Sequence, residues 1–295
     1  MSKLPSVVDP LREPVRVTDP SQDAPWRDNA WLAFWDPAAD LTGIAHVSTS
    51  PNAGARHARI SVAHGGRRLE TIEELPPGTF RGEQIRFDLE HGITFDTPAV
   101  SGRLEMGDLF AVADYTGGAV FPSIHGQPPL NHYQQATRVT GELTIDGKRI
   151  VIDGHGFRDR TWGYRNESAT ILEYIATQLV FETFSVSCMR FQVAADHSDR
   201  AEGFILAEGA HRIGAFTNIV RGRGGEVIEF ELVPDAGEAL TIYVERRFGG
   251  FPVAVSPPRN TGPTLAPFEE FCAVRAGDGS VGFGVLGVGS RRHLC

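Results

Sequence analysis

Gly141–Arg165 reads GELTIDGKRIVIDGHGFRDRTWGYR, and the fold turns on how this stretch is read. Asp146-Gly147 sits between two β-rich runs, Val139–Ile145 and Arg149–Asp153. An Asp-Gly pair suits a type I′ turn, in which both central residues need positive φ. The stretch is therefore a tight antiparallel hairpin. Past its second run comes Arg158-Asp159-Arg160-Thr161-Trp162-Gly163-Tyr164-Arg165, a dense cluster of charge and aromatic surface. Such a cluster is either a knot between two domains, held for instance by an Asp159–Arg165 ion pair, or the wall of a ligand site. In extended chain Asp159 points away from both Arg158 and Arg160.

Outward from the hairpin, strand-like runs follow one another on both sides. Before it come Ala58–Ala63, Ile85–Leu89 and Leu109–Asp114. After it come Leu179–Val193 (one bent strand or two), Phe204–Ala207, Ala215–Val220, Val227–Leu232, Leu240–Val244 and Val281–Val288. Gly, Pro, Asn or Asp fill the gaps. Glu229–Leu232 alternates cleanly, and Leu240–Val244 is β-branched and aromatic. No long segment carries apolar residues at helical spacing; short helices are expected only near Asp36–Leu41 and Asn166–Leu172. The expectation is an all-β chain of two packed β-domains, each a barrel or a sandwich. The boundaries are an extended, proline-bearing arm over 1–25, a first domain over 26–160 and a second over 161–295.

The chain has 295 residues, a hydrophobic fraction of 41% and a formal net charge of −9, with its basic residues scattered. That is enough apolar material for a sizeable core. It provides no basic face for nucleic acid or for an anionic membrane surface. There is no apolar run of signal-peptide or membrane-spanning length, so the expected location is cytoplasmic. Three dispersed cysteines (Cys188, Cys272, Cys295) fit a reducing compartment better than a disulfide framework. The sequence leaves a homodimer open.

Familiar motifs are absent or lack their context. Gly282-Phe283-Gly284-Val285-Leu286-Gly287 matches G-x-G-x-x-G by letter, but too little chain follows it for a helix, a second strand and an acidic residue. It reads instead as a glycine-rich strand against which another backbone packs closely. The ten histidines are dispersed, with no ligand spacing for a metal, and no cofactor is expected. No nucleophile elbow or P-loop occurs. In the cluster, the indole face of Trp162 attracts cations. A carboxylate such as Asp159, close to arginine, is expected to titrate low and so to act as a base or an orienting group. Glu173 and Tyr174, in the apolar stretch Ile171–Val180, are the candidate acids. Asn131-His132-Tyr133-Gln134-Gln135 is a donor-rich segment placed to cap a cavity mouth. Trp26, Trp31, Phe34 and Trp35 read as core or interface packing.

Gly154–Arg165 resembles the G-x-G-x-R-D-H-S-W-G-x-R signature of the carotenoid 1,2-hydratase (hydroxyneurosporene synthase) superfamily and its bacterial two-domain relatives. Fungal intramolecular Diels–Alderases and kievitone hydratase are similar, more distantly. Asn131–Gln135 with Arg138–Gly141, and the opening Trp26–Gly43, resemble the same relatives, so the likeness covers most of the chain. It implies two calycin-like, partly lipocalin-like domains with an apolar cavity near their junction. It also implies cofactor-free hydration, dehydration, isomerisation or cyclisation of terpenoid-, steroid- or polyketide-like molecules. In the carotenoid hydratase the signature His and Trp are taken as active-site residues. Trp162 keeps the Trp, but Arg160 stands where the His would be, and a guanidinium does not transfer protons.

The resulting expectation is a lyase or isomerase for a hydrophobic small molecule. Asp159, Trp162, Glu173 and His132 would carry the chemistry, and Tyr164, Arg160, Arg165, Tyr133, Gln134 and Tyr174 would bind the substrate. The alternative is a carrier that holds a hydrophobic ligand unchanged.

Overall fold

The computed structural model describes residues 26–50, 55–76, 78–116, 130–164, 166–253 and 261–294. The arm expected over 1–25, Arg165 and most of the loop around Pro257-Pro258 lie outside the described residues. The chain is all-β and divides into two compact units, the second beginning at Asn166. The division falls later than residue 160 because the strand that carries the cluster does not stop there.

In the first unit a ten-stranded antiparallel sheet is built around that strand. Its path runs β4 (Arg67–Glu74), β3 (Ala55–His64), β2 (Leu41–Ser50), β1 (Trp26–Asp36), β10 (Lys148–Tyr164), β9 (Asn131–Ile145), β7 (Val100–Asp108), β6 (Gly92–Asp96), β5 (Ile85–Asp88). The short β8 (Ala113–Asp114) pairs with the start of β9. The Asp146-Gly147 turn is as expected, with φ of 51° and 72°. It pairs Ile145 with Lys148 and so fixes the β9–β10 register from end to end. The Arg158–Tyr164 cluster is the end of a 17-residue central strand, and the donor-rich Asn131–Gln135 is the opening of the strand paired with it.

One face of this sheet carries the apolar core, including Ala30, Leu32, Phe34, Ala45, Ile60, Leu104 and Val139. The other face is also covered at its centre, where Trp31, His46, Ser48, His132 and Gln134 are buried. Burial on both faces explains why β1, WRDNAWLAFWD, does not alternate. The two short helices fall where expected, as a 3₁₀ turn at Pro37–Ala39 and a single α-turn at Glu167–Thr170. Asp36 accepts from the backbone N–H of Ala38 and Ala39 (3.0 and 3.2 Å), and Asn166 from that of Ala169 (3.3 Å).

The second unit is a closed barrel of eight antiparallel strands in chain order: β11 (Ile171–Phe181), β12 (Ser185–Val193), β13 (Asp199–Leu206), β14 (Ala210–Arg221), β15 (Val227–Pro234), β16 (Leu240–Pro252), β17 (Gly262–Ala276), β18 (Val281–Leu294). Leu179–Val193 is thus two strands. Closure pairs β18 with β11 and removes every free edge. Ile175, Leu179, Phe216, Phe230, Ile242, Val274 and Leu286 form its core.

The G-x-G-x-x-G letters lie within β18. A Cβ on Gly284 would stand 2.0 Å from the carbonyl oxygen of Gln178 on β11. Gly284→Ala is therefore expected to lose about 1–3 kcal/mol through forced separation of the closing strands. Gly209→Ala, where no atom lies within 4 Å of the added methyl, is the control. Thermal unfolding of the two variants decides, and equal midpoints would remove the close-approach explanation.

Candidate functional site

Register and alternation sort the cluster. Asp159 pairs with Gln134 and Thr161 with His132 across β9 and β10, while Arg160 pairs with Tyr133 and Trp162 with Asn131. Directly opposed residues share a face, and neighbours along a strand alternate. His132, Gln134, Asp159 and Thr161 therefore stand on one face. Tyr133, Arg158, Arg160, Trp162 and Tyr164 stand on the core face. This corrects the reading in which Asp159, Trp162 and Tyr164 line one cavity: three residues apart on an extended strand, the carboxylate and the indole point to opposite sides.

On the outer face the Asp159 carboxylate is the hub. His132 Nε2 lies 2.5 Å from Oδ2, Gln134 Nε2–H donates to the same oxygen at 2.8 Å, and Thr161 Oγ1–H donates to Oδ1 at 2.9 Å. His132, Gln134 and Thr161 are all buried. Tyr115, just past β8, stacks on the His132 ring with centroids 5.0 Å apart. Burial pushes the Asp159 carboxyl up. The charge interaction with His132 and the bonds from His132, Gln134 and Thr161 outweigh it and hold the group below the ordinary carboxylate range. A low-titrating Asp159 was expected, but from an arginine neighbour; the donors are an imidazole, an amide and a hydroxyl.

The depressed carboxyl predicts a pH dependence. Its contribution to stability is complete above about pH 4, the ordinary value for aspartate, and is lost as pH falls through the lower folded value. Asp159→Asn should be less stable than the parent near pH 5 and converge on it in strong acid. Urea unfolding at a series of pH values measures this; a constant gap down to the acid transition would contradict it.

The core face is organised by two buried guanidiniums. Arg160, with no exposed surface, ion-pairs with the equally buried Asp28. It donates to the carbonyls of Asn29 (2.9 Å) and Thr161 (3.1 Å) and lies 4.9 Å from the ring centroids of both Phe80 and Trp162. Tyr133 stacks on Trp162 at 5.7 Å, and Trp26 meets Tyr164 edge-on at 5.0 Å. Arg158 donates to Gln135 Oε1 (3.0 Å), to Asp108 Oδ1 (2.7 Å) and to the carbonyl of Leu89 (3.1 Å). These contacts make Arg158 and Arg160 struts of the first unit.

Glu173 and Tyr174 belong to the other unit, at the start of β11. Glu173 accepts from Arg190 (2.9 Å) and Arg221 (2.6 Å), so both its oxygens are committed to cations. That corrects its reading as an acid in an apolar stretch: the residues that meet it come from β12 and β14, not from its own run. Tyr174 stacks on Phe191 and donates to Glu269 Oε1 at 3.4 Å.

Residues missed in the sequence join the outer face from strands distant in the chain. Trp31 lies directly beside Asp159, and His46 directly beside Trp31; Asn29 and Ser48 form the next row with Thr161. His46 meets His57 edge-on at 5.3 Å. As for metals, Asp88, Glu90 and His91 bring ligand atoms within 4.8 Å of one another. Asp88 Oδ1 accepts from the backbone N–H of both Glu90 and His91 (3.1 and 3.2 Å), so a tight turn accounts for the convergence. Two charged surface grooves of about 400 and 240 Å³ lie along β5–β7 and do not reach Asp159. No helix among the described residues is long and apolar enough to cross a membrane.

Solved structures share this fold at low identity. Kievitone hydratase from Nectria haematococca matches with a TM-score of 0.60 and 14% identity over 89% of this chain and 88% of its own. CghA, in a structure with Sch210972, matches with a TM-score of 0.62 and 12% identity over 97% and 95%. The resemblance read in the Gly154–Arg165 signature is thus shown as a common fold. No curated protein matches the sequence. A family model described as "Domain of unknown function (DUF7064)" matches residues 16–292, nearly the whole chain, and the protein belongs to that family.

Proposed function

We propose that the protein is a cofactor-independent lyase or isomerase, of hydratase, dehydratase or cyclase type, acting on a mostly apolar terpenoid-, steroid- or polyketide-like molecule at the outer face of the first unit. The observation that carries this reading is the 2.5 Å contact of His132 with Asp159 inside a buried polar cluster. With Nε2 turned to the carboxylate, the lone pair of the neutral imidazole is on Nδ1. A proton taken from carbon at Nδ1 makes an imidazolium that the Asp159 carboxylate stabilises. Gln134 and Thr161 keep that carboxylate ionised and oriented. Returned to another carbon, the proton completes an isomerisation. Given to a departing hydroxyl, it completes the loss of water, and the reverse sequence is hydration. The fold shared with a hydratase supports the reading.

The residues expected to act or bind divide accordingly. His132 and Asp159 move and orient the proton, with Gln134 beside them. Trp162, Tyr133, Tyr164 and Arg160 brace the sheet from behind. Glu173 and Tyr174 take no part in the proton transfer.

The test is turnover. Purified protein is incubated with panels of unsaturated and hydroxylated terpenoids, steroids and polyphenols, and products are read by mass spectrometry for gain or loss of one water and by chromatography for isomers. The carrier reading draws on Arg160, which fills the signature His position with a structural ion pair. Native mass spectrometry separates the two: a ligand that co-purifies and stays unchanged on incubation indicates carriage and overturns the catalytic reading.

A further inference from the structure

Trp31 is nearly fully buried, at 6% exposure, and its indole Nε1–H has no hydrogen-bond partner among the described residues. Its position makes this unusual. Asp159 stands directly beside it on β10 and His46 directly beside it on β2, and Asn29, Ser48 and Thr161 occupy the next row. Residues with carboxylate, imidazole, amide and hydroxyl groups thus occupy the neighbouring register positions, yet the indole N–H bonds to none of them. A buried indole N–H normally finds an acceptor, because leaving it dry forfeits a hydrogen bond it makes in water. Among the described residues no group provides that acceptor.

We infer that Trp31 Nε1–H anchors an oxygen of the ligand, a carbonyl or a hydroxyl, beside the His132–Asp159 pair. This rests on the reading of the outer face as the ligand site and narrows its substrate class. The ligand is an oxygen-bearing apolar molecule, a ketone, enol or alcohol, and not a pure hydrocarbon. A hydrocarbon would bury the indole N–H without a partner, whereas a ketone of the same size satisfies it. The anchor also fits the chemistry. A carbonyl held at Trp31 acidifies the neighbouring C–H. β10 lies one strand from β1, about 5 Å, and β9 two strands, about 10 Å, with His132 reaching from β9 onto Asp159, so a ligand carbon lying over β10 stands between the indole and the imidazole. Trp31 is a binding residue, and the proton transfer stays with His132.

The test uses paired probes, 2-acetylnaphthalene and 2-ethylnaphthalene, which match in shape and differ in the carbonyl. Four tryptophans give four indole signals in a ¹⁵N-labelled protein, and Trp31→Phe assigns the one that matters. The expected result is that the ketone moves the Trp31 indole proton downfield and also shifts the His132 imidazole signals. Trp31→Phe should weaken ketone binding about tenfold and leave the hydrocarbon within about twofold. If the ketone shifts the His132 signals while the Trp31 indole stays put, the face is the site but the indole is satisfied by an ordered water, and the anchor is overturned. If neither probe at millimolar concentration moves any signal of the face, the site itself is wrong and the anchor falls with it. Should Trp31→Phe fold poorly, triple-resonance assignment identifies the Trp31 indole in the parent protein, and its shift decides.

Discussion

Replacing Arg160 by methionine is expected to lower the unfolding free energy by about 3–5 kcal/mol. Arg160 and Asp28 have no exposed surface and pair with each other. Burial opposes the charge on Arg160, and Asp28 beside it supports that charge. Removing the guanidinium alone strands a carboxylate in an apolar core and releases the carbonyls of Asn29 and Thr161. Removing both charges is different: Asp28→Leu with Arg160→Met replaces a desolvated pair by apolar volume, and most of the loss should return. Urea unfolding of the two single variants and the double variant, with unchanged slope, measures the coupling. A loss under about 1 kcal/mol for Arg160→Met would mean the pair does not brace the fold. The point bears on function. The position that carries histidine in the resembled signature here holds a guanidinium locked by aspartate, two carbonyls and two aromatic rings. Proton transfer cannot run through it, and under the proposed function that work falls to His132 on the opposite face.

Much of this was open to the sequence. The Asp146-Gly147 turn, the strand-rich halves and the close-packed glycines of Gly282–Gly287 follow from local rules and hold in the structure. The His132–Asp159 contact was also within reach. A two-residue turn pairs Ile145 with Lys148, and counting back along both strands brings Gln134 to Asp159 and His132 to Thr161. The same parity separates Asp159 from Trp162, and applying it would have prevented their assignment to one wall. Other parts were not legible. Trp31 and His46 reach the site because β1 pairs with a strand about 130 positions later, and no local signal sets that register. Glu173 looked apolar because its own strand is; its partners come from other strands, Arg190 from the adjacent β12 and Arg221 from β14. The burial of both sheet faces erased the alternation that would have told the core face from the site face.

The largest functional effect is expected at His132. His132→Gln should reduce kcat by about 10²–10⁴-fold on whichever substrate the panels reveal, with KM little changed. Glutamine is the informative replacement: its amide still donates to Asp159 and fills similar volume, so the hub of hydrogen bonds at Asp159 Oδ2 survives while the proton acceptor is lost. Asp159→Asn should cost less, on the order of 10²-fold, because it leaves the imidazole in place but removes the charge that stabilises its protonated form. The double variant should be little worse than His132→Gln alone, since the carboxylate acts through the imidazole; independent contributions would multiply instead. Steady-state kinetics of the three variants, with far-UV circular dichroism to confirm the fold, distinguishes these patterns. Turnover within about threefold of the parent in His132→Gln would make the cluster a structural polar network and move the search for the proton-transfer group elsewhere in the chain.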